Sequence, residues 1–243
     1  LREADRRKDE FLATLAHELR NPLAPIRTAA ELLNRDSIGM ADVKRLRDII
    51  DRQTSHLVRL VDDLLDVSRI TRGEIQLRRE PLSLRRVLDD AVESVAEELR
   101  SRGHRLSVDV PDDLPELQGD ATRLTQVFHN LLENAAKYTP QAGCIDLRAQ
   151  IDGDDVQVSV RDNGVGIAKE AQMRVFDLFT RVQPGEGMKT SGLGIGLALG
   201  KRLVEMHDGR VDVHSDGPGS GSEFTVRLPL PAESRRSVEC AVG

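Results

Sequence analysis

Tryptophan is absent from this 243-residue chain, and Tyr138 is its only tyrosine, which marks that residue as one to follow. Cysteine is nearly as scarce. Cys144 and Cys240 lie far apart and form neither a metal-ligand nor a redox spacing, so a reducing, cytoplasmic setting is expected. There is no block of basic residues, and the net charge is -6, which leaves no electrostatic footprint for a nucleic-acid partner. Long apolar runs are missing as well. The longest, such as residues 192–200, are about half of the ~20 residues a membrane helix needs, so no direct membrane contact is expected. No signal peptide is visible, and the first residue is Leu1 rather than Met. The chain therefore reads as an excised cytoplasmic fragment of a protein that is membrane-anchored or not.

What the sequence does have is helical periodicity around one histidine. In residues 11–26, FLATLAHELRNPLAPI, and just beyond, Leu12, Leu15, Leu19, Pro22, Ile26, Ala29 and Leu33 recur at steps of three and four. With Leu12 at heptad position a, His17 falls at f, farthest from the seam. A helix that buries those leucines holds this imidazole in solvent. An exposed neutral imidazole is a competent nucleophile at neutral pH. Taken alone, a histidine at f is a solvated surface residue; only the motifs downstream give it more meaning. Pro22 and Pro25 free the carbonyls of Glu18 and Asn21, four residues back, and bend the helix there. The heptad phase continues unbroken beyond them, so a kink is expected rather than an end.

Residues 34–41 read as a turn. A second heptad run extends from Val43 through Leu46, Ile50, Gln53, Leu57, Leu60 and Leu64 to Val67. Two helices of roughly 30 residues joined by a short turn make an antiparallel hairpin. Such a hairpin cannot bury both apolar stripes by itself, so pairing of two copies into a four-helix bundle is expected, making the protein a homodimer. The domain boundary is placed at residue 74, giving a hairpin over 1–73, a second domain over 74–231 and a loose tail over 232–243. Within the second domain, residues 74–84 read as an edge strand or linker and 84–102 as a helix. A strand at 105–110 and a helix at 121–137 come next, then strands at 144–151 and 156–161. After a Gly-rich segment and a helix ending near 207–209, a hairpin over 210–230 closes the domain. The mixed order predicts an α+β class, with helices on one face of a sheet.

Four blocks in this domain can carry chemistry. In DATRLTQVFHNLLENAAKYT, Asn130 and Asn134 share a helix face, and Lys137 and Tyr138 stand at its end. Amide oxygens are hard ligands suited to Mg²⁺, lysine suits a phosphate, and an aromatic ring can lie against a base. In VRDNGVGI a strand delivers Asp162, which can accept from an exocyclic amine, and Gly164 and Gly166 allow a tight turn. In VFDLFTR, Phe176 and Phe179 are core candidates and Arg181 can reach a phosphate. In GLGIGL, Gly192, Gly194 and Gly196 open a helix whose free N–H groups favour phosphate. No strand precedes that block, which argues against a Rossmann domain.

Taken together and in order, HELRNPL, NLLENAAKY, DNGVGI and GLGIGL resemble the two-component sensor histidine kinases, over essentially residues 5–230. The resemblance implies a dimerisation and phosphotransfer hairpin followed by a gyrase-like α/β sandwich that binds ATP. It implies His17 as phosphoacceptor, with Glu18 as its acid/base partner. Asn130 and Asn134 would face Mg²⁺ and ATP, Lys137 the phosphate and Tyr138 the nucleoside. Asp162 would read the adenine amine beside Gly164 and Gly166. Gly192, Gly194 and Gly196 would hold a lid and the phosphates, and Arg181 would assist. A response-regulator receiver domain is the implied partner. Where the family often has threonine four residues after the histidine, this chain has Asn21, whose amide can orient the water that dephosphorylates the receiver. Two other functions fit the sequence less well. Gyrase-like or MutL-like ATPases place a glutamate base where this chain has Asn130, and a non-catalytic dimeric scaffold would have decayed motifs.

Overall fold

The computed structural model describes residues 2–34, 39–180 and 193–231. The chain forms two compact units. Residues up to Ile75 together with 193–195 make the first, and 76–180 together with 196–231 make the second.

The first unit is a helical hairpin. Helix α1, Arg2–Leu33, continues through Pro22 and Pro25, as the unbroken heptad phase requires. Helix α2, Met40–Thr71, is started by the Gly39 carbonyl, which accepts from the N–H groups of Asp42 and Val43. The two helices pack against each other, and Ala29 and Leu60 are buried between them, at 2% and 7% exposure. Leu19, Ile26, Ile50 and Leu57 are only half-buried. Two helices have only one neighbour each, so much of each stripe stays open. Residues 35–38, half of the expected turn, lie outside the described residues.

In the second unit the expected strand within 74–84 is only three residues long. This strand, β1 (Glu80–Leu82), pairs antiparallel with an unforeseen β3 (Leu117–Gly119). Helix α3 (Leu84–Ser101) is capped by Ser83 Oγ, which accepts from Arg86 N–H. It buries Leu84, Val87, Leu88, Ala91, Val95 and Leu99 at helical steps. Strand β2 (Arg105–Asp109) precedes β3, and α4 (Ala121–Tyr138) comes after it, capped by Asp120 Oδ1 accepting from Arg123 N–H at 3.1 Å. Strands β4 (Cys144–Asp152) and β5 (Asp155–Asp162) form a hairpin. After α5 (Lys169–Gln172) and α6 (Gly196–Met206), strands β6 (Arg210–His214) and β7 (Ser222–Pro229) close the sheet.

The sheet order is β2-β4-β5-β7-β6, antiparallel except for β2 with β4. Register puts Leu147, Val160 and Phe224 in one row and Ala149, Val158 and Val226 in the next, all buried beneath the helices. Their sequence neighbours Arg148 and Arg161 point the other way and are exposed. Helix α4 packs between α3 and α6 and rests on β5, while α6 rests on β6. This is the expected α+β sandwich with helices on one face. Its consequence is that the end of β5 and the C-terminal half of α4 come together. The tail at 232–243 lies outside the described residues.

Candidate functional site

The alternation of β5 turns Val156, Val158 and Val160 into the core, and the same period carries Asp162 inward at the strand's end. Its carboxylate is only 6% exposed. Oδ1 accepts from Gly164 N–H at 2.8 Å, and Oδ2 accepts from Ser222 Oγ at 2.6 Å. Burial raises the Asp162 pKa above its ordinary value, and these hydrogen bonds pull it part of the way back.

The loop after Asp162 is stitched to its surroundings by backbone bonds. Val165 N–H donates to the Tyr138 carbonyl at 3.1 Å and Gly219 N–H to the Val165 carbonyl at 2.7 Å. Gly221 N–H donates to the Gly164 carbonyl at 3.1 Å, and Ile167 N–H to Ser215 Oγ at 2.9 Å. These bonds pull the chain against itself. A Cβ on Gly164 would collide with the Tyr138 carbonyl oxygen. Gly166 has φ +68°, and a Cβ there would meet the Gly217 carbonyl oxygen. Both glycines are thus required by the fold of the loop.

On α4, Asn130 and Asn134 are one turn apart, as spacing predicts. Asn130, 6% exposed, donates through Nδ2 to the Gly196 carbonyl at 3.2 Å. Asn134 donates through Nδ2 to the Asn130 carbonyl at 2.7 Å. Each amide spends its N–H on backbone, so its oxygen is left for another partner, and an amide oxygen is a hard ligand. Lys137 Nζ lies 4.8 Å from the centroid of the Tyr138 ring, within cation–π range.

Asn134, Tyr138, Asp162 and Gly166 all line one cavity, together with the apolar side chains of Val165, Ile167, Val175, Leu197 and Phe224. Thr180 and Ser222 add hydroxyls. The cavity holds about 590 Å³ of empty space, open to solvent. Phe176 meets Phe224 edge-on, with ring centroids 6.2 Å apart, and so backs the wall. A single buried carboxylate at the base of an apolar slot selects a flat ligand with a hydrogen-bond donor at one edge.

The remaining predicted residues fall elsewhere. Asn130, Lys137, Gly164 and Gly196 do not line the cavity; Asn130 is bonded to Gly196, the residue before the lining Leu197, and Gly164 to the lining Asp162. Gly194 has φ +67°, a conformation that suits glycine. Arg181 and Gly192 lie outside the described residues. His17, Glu18 and Asn21 belong to the hairpin unit. His17 is exposed, as position f requires, Glu18 beside it is 6% exposed, and Asn21 is exposed one turn further on.

Two family models match the chain. Residues 7–73 match the His Kinase A (phospho-acceptor) domain, and residues 119–232 match the histidine kinase-, DNA gyrase B- and HSP90-like ATPase. The mycobacterial sensor histidine kinase MprB, a solved structure, is 31% identical with a TM-score of 0.54. The alignment covers 63% of this chain and 99% of that one. The chain belongs to the sensor histidine kinases. Full-length ShkA, solved in complex with AMPPNP, is 32% identical with a TM-score of 0.64 over 90% of this chain and 45% of that one. Among curated histidine kinase relatives, the sensor histidine kinase RcsC of Escherichia coli K12 is 38% identical over 94% of this chain. The Non-motile and phage-resistance protein of Caulobacter vibrioides is also similar, at 39% over 93%. The chain spans only 24% and 28% of the length of these two proteins.

Several residues of this histidine kinase core carry no signal in the sequence. Ser222 holds Asp162 from the opposite strand, and Ser215 organises the turn that locks the Gly164–Gly166 loop. Once β5 and β7 are paired, Ser222 is found directly opposite Asp162. That pairing is the missing signal, because neither serine belongs to a local motif.

Proposed function

We propose that this chain is the catalytic core of a sensor histidine kinase, which transfers the γ-phosphoryl group of ATP to a ring nitrogen of His17. The buried carboxylate of Asp162 at the base of an apolar cavity carries the nucleotide half of this reading. Ionised, it accepts a hydrogen bond from the adenine amine, while Val165, Ile167 and Leu197 enclose the ring and Tyr138 faces the nucleoside. Gly164 and Gly166 shape that wall. The amide oxygens of Asn130 and Asn134 suit Mg²⁺, and the Lys137 ammonium suits a phosphate. Gly192, Gly194 and Gly196 are assigned to the phosphates, with Arg181 assisting. A Mg²⁺ ion held by the Asn130 and Asn134 amides would supply positive charge against the negative charge of the phosphates.

His17 attacks from its exposed position, and Glu18 holds the imidazole tautomer and accepts its proton. Little covalent chemistry is asked of the protein, so positioning and charge neutralisation supply most of the rate. The exposed ring then serves a second partner in turn, the aspartate of a response-regulator receiver domain. The chain acts as a homodimer whose hairpins pair into a four-helix bundle, in the cytoplasm. The Asn130 position, a glutamate in gyrase-like ATPases, leaves water without a general base and favours transfer to histidine over hydrolysis. Asn21, one turn from His17, orients water for dephosphorylation of the receiver.

Mixing phosphorylated chain with its cognate receiver domain tests this reading. Label should leave His17 and appear on the receiver aspartate, and label that stays on the chain would contradict it. An Asn21→Ala variant should phosphorylate itself as before yet dephosphorylate the receiver more slowly; an unchanged rate would refute the Asn21 assignment.

A further inference from the structure

Helices α4 and α6 run antiparallel and are tied at two points. One is the bond from Asn130 Nδ2 to the Gly196 carbonyl, at the N-terminus of α6. The other joins the opposite ends of the pair, where the last turn of α6 meets the cap of α4. His207 lies there, 3% exposed. Its Nδ1 donates to the Leu203 carbonyl at 2.7 Å, and its Nε2 accepts from Asp120 N–H at 2.9 Å. Both contacts are satisfied only by the neutral ring protonated at Nδ1. The ring packs so closely on Gly119 that a Cβ there would come within 2.8 Å of Cδ2.

Asp120 is itself fully engaged. Besides capping α4, its Oδ2 accepts from Arg78 N–H at 3.0 Å. Arg79 binds the end of α6, reaching Asp208 Oδ2 at 2.7 Å and donating to the Met206 carbonyl. The charged groups facing the ring are thus Arg79 before β1, Asp120 at the cap of α4 and Asp208 in the turn after α6. Burial and Arg79 favour the neutral ring, the bond to the Leu203 carbonyl and the two carboxylates favour the cation, and the net result is a pKa below the ordinary value for histidine.

We propose that His207 is a positioning residue for nucleotide binding, holding α6 in register with α4, and so Gly196 against Asn130, only while its ring is neutral. This rests on the reading of the cavity as the ATP site. Adding a proton to Nε2 turns the acceptor into a donor aimed at the Asp120 N–H, and that bond is lost. The two helices then keep the tie at the Asn130 end and lose the one at the other, which lines up the nucleotide site less firmly.

Binding of AMPPNP with Mg²⁺ to the full chain, measured from pH 8 to pH 5.5, tests this beside a His207→Gln variant. The glutamine amide oxygen replaces Nε2 as acceptor and does not titrate. Protonation of Asp162 weakens both proteins alike, so their difference isolates His207. Equal affinity is expected at pH 8, with wild type falling up to about tenfold further once the His207 ring is protonated, as followed by NMR in the same titration, the worth of one net hydrogen bond. Superimposable curves would overturn the proposal. A chain that bound no nucleotide at any pH would refute the ATP reading and the proposal with it. NMR of the wild type needs neither variant nor nucleotide. The Asp120 amide should lose exchange protection as the His207 ring titrates, and an amide indifferent to that titration would overturn the proposal as well.

Discussion

Ser222 stands directly across the sheet from Asp162 and donates its hydroxyl to Asp162 Oδ2 at 2.6 Å. A strand-end carboxylate in an apolar slot is costly, and this bond, with the one from Gly164 N–H, aims it and keeps it usable. The pair defines the polar base of the cavity.

Asp162→Asn should separate stability from binding. Because burial raises its pKa, the folded chain holds this proton more tightly than the unfolded chain does. The group's stabilising contribution is complete below the ordinary carboxylate pKa and is lost as pH rises through the raised one. An amide never ionises, so at neutral pH the variant should melt at the same temperature or higher. It should also lose about 2 kcal/mol or more of nucleotide affinity, since a hydrogen bond to a charged group is gone. Calorimetry of both proteins checks this. In wild type, affinity should fall on acidification at a higher pH than for an ordinary aspartate.

Ser222→Ala should weaken nucleotide binding by about 1–2 kcal/mol through the carboxylate it no longer orients. In an Asp162→Asn background the same substitution should matter less. Additive losses in the double variant would show that the two residues act independently.

The fold was legible where the pattern was long. The heptads of α1 and α2 and the alternation of β4 and β5 gave elements that match the structure closely. Strand β3 was not legible, because three residues, Leu117, Gln118 and Gly119, carry no period and are held only by pairing with β1. The same distinction runs through the site. Asn134, Tyr138, Asp162 and Gly166 were each marked by a local motif, and the fold gathers them around one cavity. Ser222 and His207 act on residues 60 and 87 positions away, a relation that only tertiary structure creates.

Three glycines should respond differently to alanine. Gly164→Ala drives a methyl into the Tyr138 carbonyl, and Gly166→Ala meets both a positive φ and the Gly217 carbonyl. Each should destabilise the second unit by about 2–3 kcal/mol, even without nucleotide. Gly200 lies inside α6, and a methyl there would have nothing within 4 Å, so Gly200→Ala should instead gain about 0.5–1 kcal/mol. Urea unfolding of the three variants distinguishes these outcomes.

On α2, Val58, Val61 and Leu65 are 54%, 43% and 48% exposed and recur at steps of three and four. This stripe is apolar surface suited to a second hairpin. Replacing Val61 and Leu65 together by aspartate should convert the dimer to monomer in sedimentation equilibrium while nucleotide binding in the second unit persists. A dimer that survives the double substitution would place the interface elsewhere.

His17 is proposed to receive the γ-phosphoryl group of ATP. The most direct measurement incubates the chain with Mg²⁺ and γ-labelled ATP beside a His17→Gln variant, then tests the label in acid and alkali. Label that survives alkali, is lost in acid and is absent from the variant is the predicted result. Label retained by the His17→Gln protein, or label stable to acid, would contradict it.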